Sequence, residues 1–365
     1  MRIAIDATPL TCPTGGIRRY VEEITRALAV HSPDDEIFLL TDQSDWQLPE
    51  GLRELANVRA PPPEGSRFRG KWWSLGLPWA LAQHRIDVFH GSDFAVPYLP
   101  LRPSILVVHD LSPWKEPPLR AVGADRVRSR APHLFRLATL LVTPTEAVKR
   151  ELADEFRIAA SRIVVTPLAA REEFHRPAEA EVTNWLQQQG VRRPYLLALA
   201  APQPRKNMER LLEAWRSARA SCPDLGLVCV GSLPGATMKR YNQGGLDVLP
   251  PMPDPGLQAL LSGAVAFVYP SLYEGFGLPV LEAMQMSVPV ITSQDKAILE
   301  VAGGAALQVD VTNTESLRQA VVEVATNPRL RADLRAKGTQ RSAQFSWRAT
   351  ALLTRQTYVE AIRRF

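Results

Sequence analysis

The 365-residue chain has few cysteines and no long hydrophobic run. Its three cysteines, Cys12, Cys222 and Cys229, fit no metal-binding or redox spacing, which indicates reduced thiols in a cytoplasmic protein. No apolar run approaches the roughly 20 residues that cross a bilayer. The opening MRIAIDATPL has one basic residue before a strand-like segment, unlike a signal peptide. Disulfide scaffolds, zinc sites and membrane spans are therefore not expected.

Several phosphate-binding and metal-binding motifs are also missing. The sequence has no Walker A loop, no complete Gly-x-Gly-x-x-Gly and no Asp-x-Asp. We therefore predict no metal site and no metal-bridged diphosphate. The net charge is +5, but no helix-turn-helix, zinc-finger or aromatic RNA-binding signature accompanies it, so nucleic acid is not a predicted partner. Anionic small molecules or an anionic membrane surface explain this basic excess equally well.

What the sequence does contain is a regular alternation of short apolar runs with amphipathic stretches. This alternation predicts βα units and hence an α/β fold with parallel sheets. The length predicts two doubly wound domains, and a polar, irregular segment near 168–192 is the candidate linker. The predicted strands are 2–6, 36–40, 88–90, 105–108, 140–143 and 163–165, then 195–199, 225–230, 264–269 and 288–292.

The segment SLYEGFGLPVLEAM places two carboxylates, Glu274 and Glu282, on either side of a glycine-rich turn. Gly275 and Gly277 allow backbone conformations closed to other residues, and Pro279 suits the first turn of a helix. The exposed amides of such a helix start predict an anion site, with phosphate favoured as the anion. Two alternatives stay open at this point: a tight turn with Glu274 as an N-cap, and a glycosidase-type carboxylate pair.

A second candidate site lies in LALAAPQPRKNMERLLEAW. A predicted strand ends at Leu199, and a short loop then leads to Arg205 and Lys206. An amphipathic helix begins after them, and Asn207 is placed to cap it. Two cations beside a helix start would hold a diphosphate, the arginine as a bidentate donor and the lysine as a point charge. An adjacent Arg-Lys pair is more often a solvated surface feature, but its place between a strand and a helix favours a site.

The first half of the chain has two weaker candidates. Gly15 and Gly16 precede an amphipathic helix, where a plain loop is an equally good reading. His109 and Asp110 end the predicted strand of ILVVHDLSPW, and a carboxyl strand end favours a site over a structural pair.

Cations and aromatic residues alternate in SRFRGKWWSLGLPWAL. This composition suits an anionic membrane interface, where cations meet headgroups and tryptophans lie at the boundary. The alternative is a loop whose tryptophans pack into the core. The residues concerned are Arg67, Phe68, Arg69, Lys71, Trp72, Trp73 and Trp79.

Taken together, these motifs resemble the retaining glycosyltransferases of family four, which have the GT-B fold. The resemblance is strongest over about 195–311 and is carried by GGIRRYVEEI, VVHDL, TPTEAVKREL, PRKNMERLLEAW, YPSLYEGFGLPVLEAM, PVITS and LEVAGGAALQVD. It implies two facing Rossmann-like domains with a cleft between them: 1–170 on the acceptor side and 190–345 binding the nucleotide sugar. It also implies that a C-terminal helix, 346–365, returns to the first domain.

The resemblance also implies roles for individual residues. Arg205 and Lys206 would neutralise the leaving diphosphate, and Glu274 would approach the donor sugar. Glu282 would bind the nucleotide ribose, while His109 would contact the sugar near the reacting carbon. Further donor contacts would come from Gly15, Gly16, Gly275, Phe276, Gly277 and Leu278. The sequence departs from the family in two loops: family members commonly have glycine where this chain has Ala200 or Ala201, and where it has Ala169 or Ala170. Alanine is small but lacks the freedom of glycine at positive φ.

The implied activity is a retaining, metal-independent hexosyltransferase that needs no cofactor. The closest likeness is to mannosyltransferases of bacterial surface polysaccharide synthesis, such as that of lipopolysaccharide O-antigen. This favours a GDP-sugar over a UDP-sugar as donor and a growing, lipid-linked glycan as acceptor. Such an enzyme would be cytoplasmic, at the inner face of the membrane. A UDP-hexose enzyme of the same fold, or an inactive sugar-nucleotide-binding subunit, are the alternatives.

Overall fold

The structure is a computed structural model that describes residues 1–12, 15–43, 46–62, 68, 70–117, 119–120, 124–241 and 244–365, without the side chains of 236, 238 and 239. The chain forms two compact units. The first contains 1–114, 124–168 and 346–365, and the second contains 169–345 together with a short segment around 115–120.

The first unit is built on a parallel sheet. Its described strands are ordered β3-β2-β1-β4-β5-β6-β7, so the order reverses between β1 and β4. The strands are β1 (Arg2–Asp6), β2 (Glu36–Leu40), β3 (Val58–Arg59), β4 (Val88–Gly91), β5 (Ser104–Val107), β6 (Leu140–Thr143) and β7 (Ile163–Val165). The helices between them are α1 (Gly16–His31), α2 (Glu50–Arg53), α3 (Leu77–Gln83), α4 (Ala124–Leu137) and α5 (Glu146–Phe156).

The second unit repeats this design with the order β10-β9-β8-β11-β12-β13, again parallel, and its order reverses between β8 and β11. Its strands are β8 (Tyr195–Ala200), β9 (Gly226–Gly231), β10 (Leu246–Leu249), β11 (Ala266–Tyr269), β12 (Val290–Thr292) and β13 (Leu307–Gln308). Its helices are α6 (Glu179–Gln188), α7 (Met208–Ala218), α8 (Gly235–Tyr241), α9 (Asp254–Gly263), α10 (Leu278–Gln285), α11 (Lys296–Ala302), α12 (Thr314–Thr326) and α13 (Pro328–Ser342).

The last helix, α14 (Trp347–Arg364), packs against α1, β4 and β5 of the first unit. Buried polar contacts fix it there. Tyr358 is fully buried, and its hydroxyl lies 2.6 Å from Nδ1 of His90, whose Nε2 lies 3.1 Å from the Tyr20 hydroxyl. Arg355 Nε also donates to Asp35 Oδ2 at 2.7 Å. Since buried polar groups are costly unless paired, these contacts define one position for the helix.

The predicted strands are confirmed, with ends that shift by one or two residues. The segment 168–192, which we predicted to be an irregular linker, is partly helical. Residues 179–188 form α6 of the second unit, with Val182 and Leu186 buried.

In the segment where cations and aromatic residues alternate, the tryptophans follow the second of the two interpretations, packing into the core. Trp72 is 4% exposed and belongs to the core of the first unit, and Trp73 and Trp79 pack against that core. Lys71 is exposed, whereas Arg67 and Arg69 lie outside the described residues.

Candidate functional site

The paired cations lie at the switch point of the second sheet. Arg205 and Lys206 occupy the short turn Pro204–Lys206 that follows β8, and Glu274 follows the neighbouring strand β11. Lys206 Nζ donates to Glu274 Oε1 at 2.5 Å and to the Tyr269 hydroxyl at 3.2 Å. Arg205 Nη1 donates to Glu274 Oε2 at 3.3 Å. In parallel sheets, ligands bind outside the carboxyl strand ends at this reversal of order.

The Glu274 carboxylate is shaped by these two cations. Its side chain is one-tenth exposed, and burial alone would raise its pKa. Lys206 and Arg205 outweigh the burial, so the pKa of Glu274 lies below its ordinary value. Burial and the nearby Glu274 also raise the pKa of the Tyr269 hydroxyl, which therefore stays protonated. One net positive charge remains on the Arg205, Lys206 and Glu274 trio.

The glycine run leads into α10 as predicted, but only one glycine needs its conformational freedom. Gly277 has φ +95°, and a Cβ there would lie 2.4 Å from Ile298 Cδ1. Pro279 lies in the first turn of α10, and no side chain caps the helix start. The amides of the first turn of α10 therefore have no side-chain cap as a hydrogen-bond partner. Uncapped amides at a helix start can bind an anion.

Asp295 lies beside this turn. Its carboxylate caps α11 by accepting hydrogen bonds from the amides of Ala297 and Ile298, at 3.0 and 3.2 Å. Burial and the charge of Glu274 raise the pKa of Asp295 to about 6, and these hydrogen bonds offset only part of that rise.

Glu282 lies one turn into α10 and is 2% exposed. Its partner is Arg171, whose Nε donates to Glu282 Oε1 at 3.1 Å and whose Nη1 pairs with Asp254. The sequence analysis did not identify Arg171, because it lies in the segment interpreted as a linker. An arginine directly after the apolar run Leu168, Ala169 and Ala170 is the signal that could have found it.

The prediction that Asn207 caps α7 with its side chain is wrong. Asn207 has φ +57° and makes no side-chain cap hydrogen bond. Its amide instead donates to the carbonyl oxygens of Pro270 and Val311, at 3.2 and 2.8 Å. The residue therefore ties the cationic turn to the loop that follows β11.

In the first unit, His109 follows β5 and its Nε2 donates to the carbonyl of Ser92 at 2.9 Å. The ring edge of Tyr20 packs on it with centroids 4.9 Å apart. Burial lowers the pKa of His109, so its imidazole is neutral at pH 7 with Nδ1 unprotonated. Gly16 begins α1, and Gly15 precedes it with φ +136°.

A carboxylate that the sequence analysis missed follows β4, the strand next to β5. Asp93 follows β4, and burial together with the charges of Asp6 and Asp110 raises its pKa to about 7. Asp6 ends β1, at the switch point of the first sheet, and accepts a hydrogen bond from Ser92 Oγ at 3.0 Å. The available signal was an acidic residue at the end of each of three neighbouring strands or within three residues of it: Asp6, Asp93 and Asp110.

The first unit also has a cleft of about 630 Å³ near the loops that follow β1 and β2. Trp46, glutamines and charged side chains line it, and it contains none of the residues predicted from sequence. Its walls are Leu10, Thr11, Arg18, Gln43, Trp46, Gln47, Leu48, Pro49, Glu50 and Arg53.

Within the part of the chain that the structure describes, no three histidine, cysteine or carboxylate side chains are grouped to hold a metal ion. None of the described helices combines the length and hydropathy of a bilayer-crossing segment.

Comparison with family models identifies both halves of the chain. Residues 14–174 match the model described as Glycosyltransferase Family 4, and residues 183–341 match Glycosyl transferases group 1. O-antigen chain mannosyltransferase B of Escherichia coli is 29% identical over 98% of this chain and 99% of its own length. MMP alpha-(1->4)-mannosyltransferase of Mycolicibacterium hassiacum is 29% identical over 69% of this chain and 61% of its own.

Two solved structures share the fold over nearly the whole chain. Sucrose-phosphate synthase from Thermosynechococcus elongatus has a TM-score of 0.76 and 19% identity, with full coverage of both chains. HepE from Anabaena, in complex with UDP and glucose, has a TM-score of 0.75 and 16% identity, covering 98% of each chain. With the two Rossmann-like units, these likenesses assign the GT-B fold.

Proposed function

The chain belongs to family four of the glycosyltransferases, and on that premise we propose that it transfers a hexose, with mannose favoured, from a sugar nucleotide to a growing surface glycan. The reaction retains the anomeric configuration and uses no metal ion. The observation that carries this proposal is the pair of cations, Arg205 and Lys206, at the switch point of the second sheet and beside the loop that enters α10.

The two cations stabilise the diphosphate as it leaves. Arg205 and Lys206 are held in place by Glu274, so they need little reorganisation when charge develops on the leaving oxygen. The amides from Gly275 to Leu278 bind the sugar and phosphate groups, and Glu274 approaches the hydroxyls of the donor sugar. This arrangement replaces the positive charge that a metal ion supplies in enzymes with an Asp-x-Asp motif.

We propose four further donor contacts. Glu282 accepts hydrogen bonds from the nucleotide ribose, and Gly15 and Gly16 let the start of α1 approach the phosphates. His109, neutral and fixed by Ser92, contacts the donor sugar near the reacting carbon.

The acceptor attacks the face from which the nucleotide leaves, and a diphosphate oxygen takes its proton. Positioning and electrostatics then supply most of the rate enhancement.

For the acceptor, the cleft of the first unit is our candidate. Its volume falls within the range of ligand pockets, and the Trp46 ring together with amide and charged groups suits the apolar and hydroxyl faces of a sugar. The name of the full-length E. coli relative supports a surface glycan as the acceptor class. We propose that this glycan is lipid-linked and that transfer takes place at the cytoplasmic face of the membrane.

The names of relatives and neighbours favour different donors. Two relatives are named as mannosyltransferases, which supports GDP-mannose, whereas the Anabaena neighbour is in complex with UDP. A thermal-shift screen across GDP-, UDP- and ADP-sugars decides between them, since a ligand at about 100 times its Kd adds roughly 2.7 kcal/mol of stability. We expect the largest shift with GDP-mannose; a shift with UDP-sugars alone would assign the alternative donor.

An inactive sugar-nucleotide-binding subunit is the competing function. Active enzymes of this kind hydrolyse the donor slowly or transfer its sugar when an acceptor is present. We therefore expect radiolabelled sugar to leave the nucleotide in the presence of membrane-extracted glycan lipids. Donor that binds with a clear thermal shift but is neither hydrolysed nor transferred would contradict the enzymatic proposal.

A further inference from the structure

We propose that Arg171 is a positioning residue for the nucleotide ribose, because it fixes the Glu282 carboxylate against which the ribose diol binds. This inference rests on the proposed function, in which Glu282 contacts the ribose.

Arg171 is held from three sides within the second unit. Its side chain is 9% exposed, with Glu282 on one edge of the guanidinium and Asp254, the first residue of α9, on another. Its guanidinium carbon lies 4.1 Å from the ring centre of Phe174, which is fully buried. A planar guanidinium bound on two edges and one face has little freedom to turn.

The backbone of the same segment is bound as tightly as the side chain. Gln285, on α10 like Glu282, donates from Nε2 to the carbonyl oxygens of Arg171 and Phe174, both at 2.7 Å. Gln258, on α9, donates to the carbonyl of Glu173 at 2.8 Å. The segment 171–174 therefore moves with α9 and α10, and the distance from Arg171 to Glu282 is set by the fold.

The charges show why Glu282 depends on this residue. Arg171 contributes one positive charge between two carboxylates. Burial alone would lower the pKa of Arg171, but the charges of Glu282 and Asp254 outweigh it, so the pKa is raised. Glu282 itself is only 2% exposed, and without Arg171 it would keep little solvation and lose this cation.

The chemistry of the pair fits a hydroxyl-bearing ligand. A carboxylate has about four acceptor positions, and the Arg171 Nε contact uses one of them. Arg171 Nη2 lies between the two paired edges, is buried, and has no hydrogen-bond partner among the described residues. A hydroxyl both accepts from a guanidinium and donates to a carboxylate, so a ribose hydroxyl arriving at Glu282 complements both groups.

The test compares nucleotides with and without the diol. Calorimetry measures the affinities of GDP and UDP, of their 2′,3′-dideoxy forms and of inorganic pyrophosphate for the full chain. We expect the wild type to bind the better nucleotide about tenfold or more tightly than its dideoxy form, as for hydrogen bonds to a charged group. In Arg171→Met this ratio should fall close to one, while the affinities of the dideoxy form and pyrophosphate stay within about twofold.

The control variant is Arg176→Met. Arg176 contacts the carbonyl oxygens of Met286 and Ser262, next to the ends of α10 and α9, but does not touch Glu282. It should keep the wild-type ratio. Arg171→Lys, which keeps the charge without the fork, should give an intermediate ratio and serves in place of Arg171→Met if that variant does not fold.

The outcomes separate the inference from the proposed function. A wild-type ratio in folded Arg171→Met, or an equal loss of affinity for all three probes, would overturn the positioning role. Equal binding of ribose and dideoxy forms by the wild type would overturn it as well. A wild type that binds neither nucleotide would overturn the proposed function on which the inference rests.

Discussion

Replacing Lys206 with alanine tests the leaving-group assignment most directly. The Arg205, Lys206 and Glu274 trio carries one net positive charge, and Lys206→Ala reduces that charge to zero. A unit charge about 4 Å from another is worth roughly 4 kcal/mol at the effective dielectric constant of a partly buried site. Because only part of a charge develops on the leaving oxygen, we expect a loss of about 3 kcal/mol, or two orders of magnitude in kcat.

The assay is steady-state transfer from the donor identified by thermal shift, with kcat and KM measured separately. A group that acts in the transition state lowers kcat and kcat/KM together, whereas a group that binds ground state and transition state equally raises KM alone. Lys337→Ala is the matched control, since it removes a cation from a half-exposed ion pair with Asp333 in the same unit. Such surface pairs contribute little, so this variant should retain wild-type kinetics.

One further effect needs a control of its own. Without Lys206, the buried Glu274 loses one of its two cationic partners and keeps Arg205, so the melting temperature of each variant is measured as well. A folded Lys206→Ala enzyme with kcat within about threefold of the wild type would refute the assignment of Lys206 to the leaving diphosphate.

Three other predictions follow from the same site and its surroundings. Full transfer activity should survive excess EDTA; loss on chelation with recovery on adding Mg²⁺ or Mn²⁺ would show that the two cations are not sufficient. Asp295→Asn should stabilise the second unit at pH 7.5 by about 1–3 kcal/mol but not at pH 4. The pKa of Asp295 is raised to about 6, so the wild type loses stability as pH rises through that value, whereas asparagine stays neutral and still caps α11. Urea unfolding measures the effect, and an equal effect at both pH values contradicts this prediction. Co-sedimentation with anionic vesicles should be salt-sensitive and should weaken in an Arg67, Arg69 and Lys71 triple alanine variant; equal binding by both proteins would assign that segment no membrane role.

The sequence predicted the long elements of the fold because their apolar residues recur with the period of buried strands and amphipathic helices. The strands missed were the short edge strands β3, β10 and β13, which have two to four residues and are only partly buried. An edge strand of that length has no apolar run to detect, since its pairing is decided by the neighbouring strand.

The candidate site could be predicted only where chemistry and chain order coincide. Arg205, Lys206 and Glu274 were found because each follows a predicted strand, and the sheet then brings those strand ends together. Arg171 was missed because its contacts with Asp254 and Glu282 join residues 83 and 111 positions apart. Asn207 was misinterpreted because its side-chain amide donates to the carbonyl oxygens of Pro270 and Val311 and does not cap α7. Those residues are distant in sequence, so the local sequence does not predict the contacts.

The position of α14 has a consequence for how the protein is made. About 180 residues separate Leu168 from Ser346, yet both belong to the first unit. At 5–20 residues per second, a ribosome needs roughly 10 to 40 seconds to synthesise the intervening chain. During that time the surface of α1 that α14 covers is exposed, and Nδ1 of His90 lacks the Tyr358 hydroxyl. The unit whose strands emerge first is therefore the last of the two to complete its core, which happens only after α14 has left the ribosome.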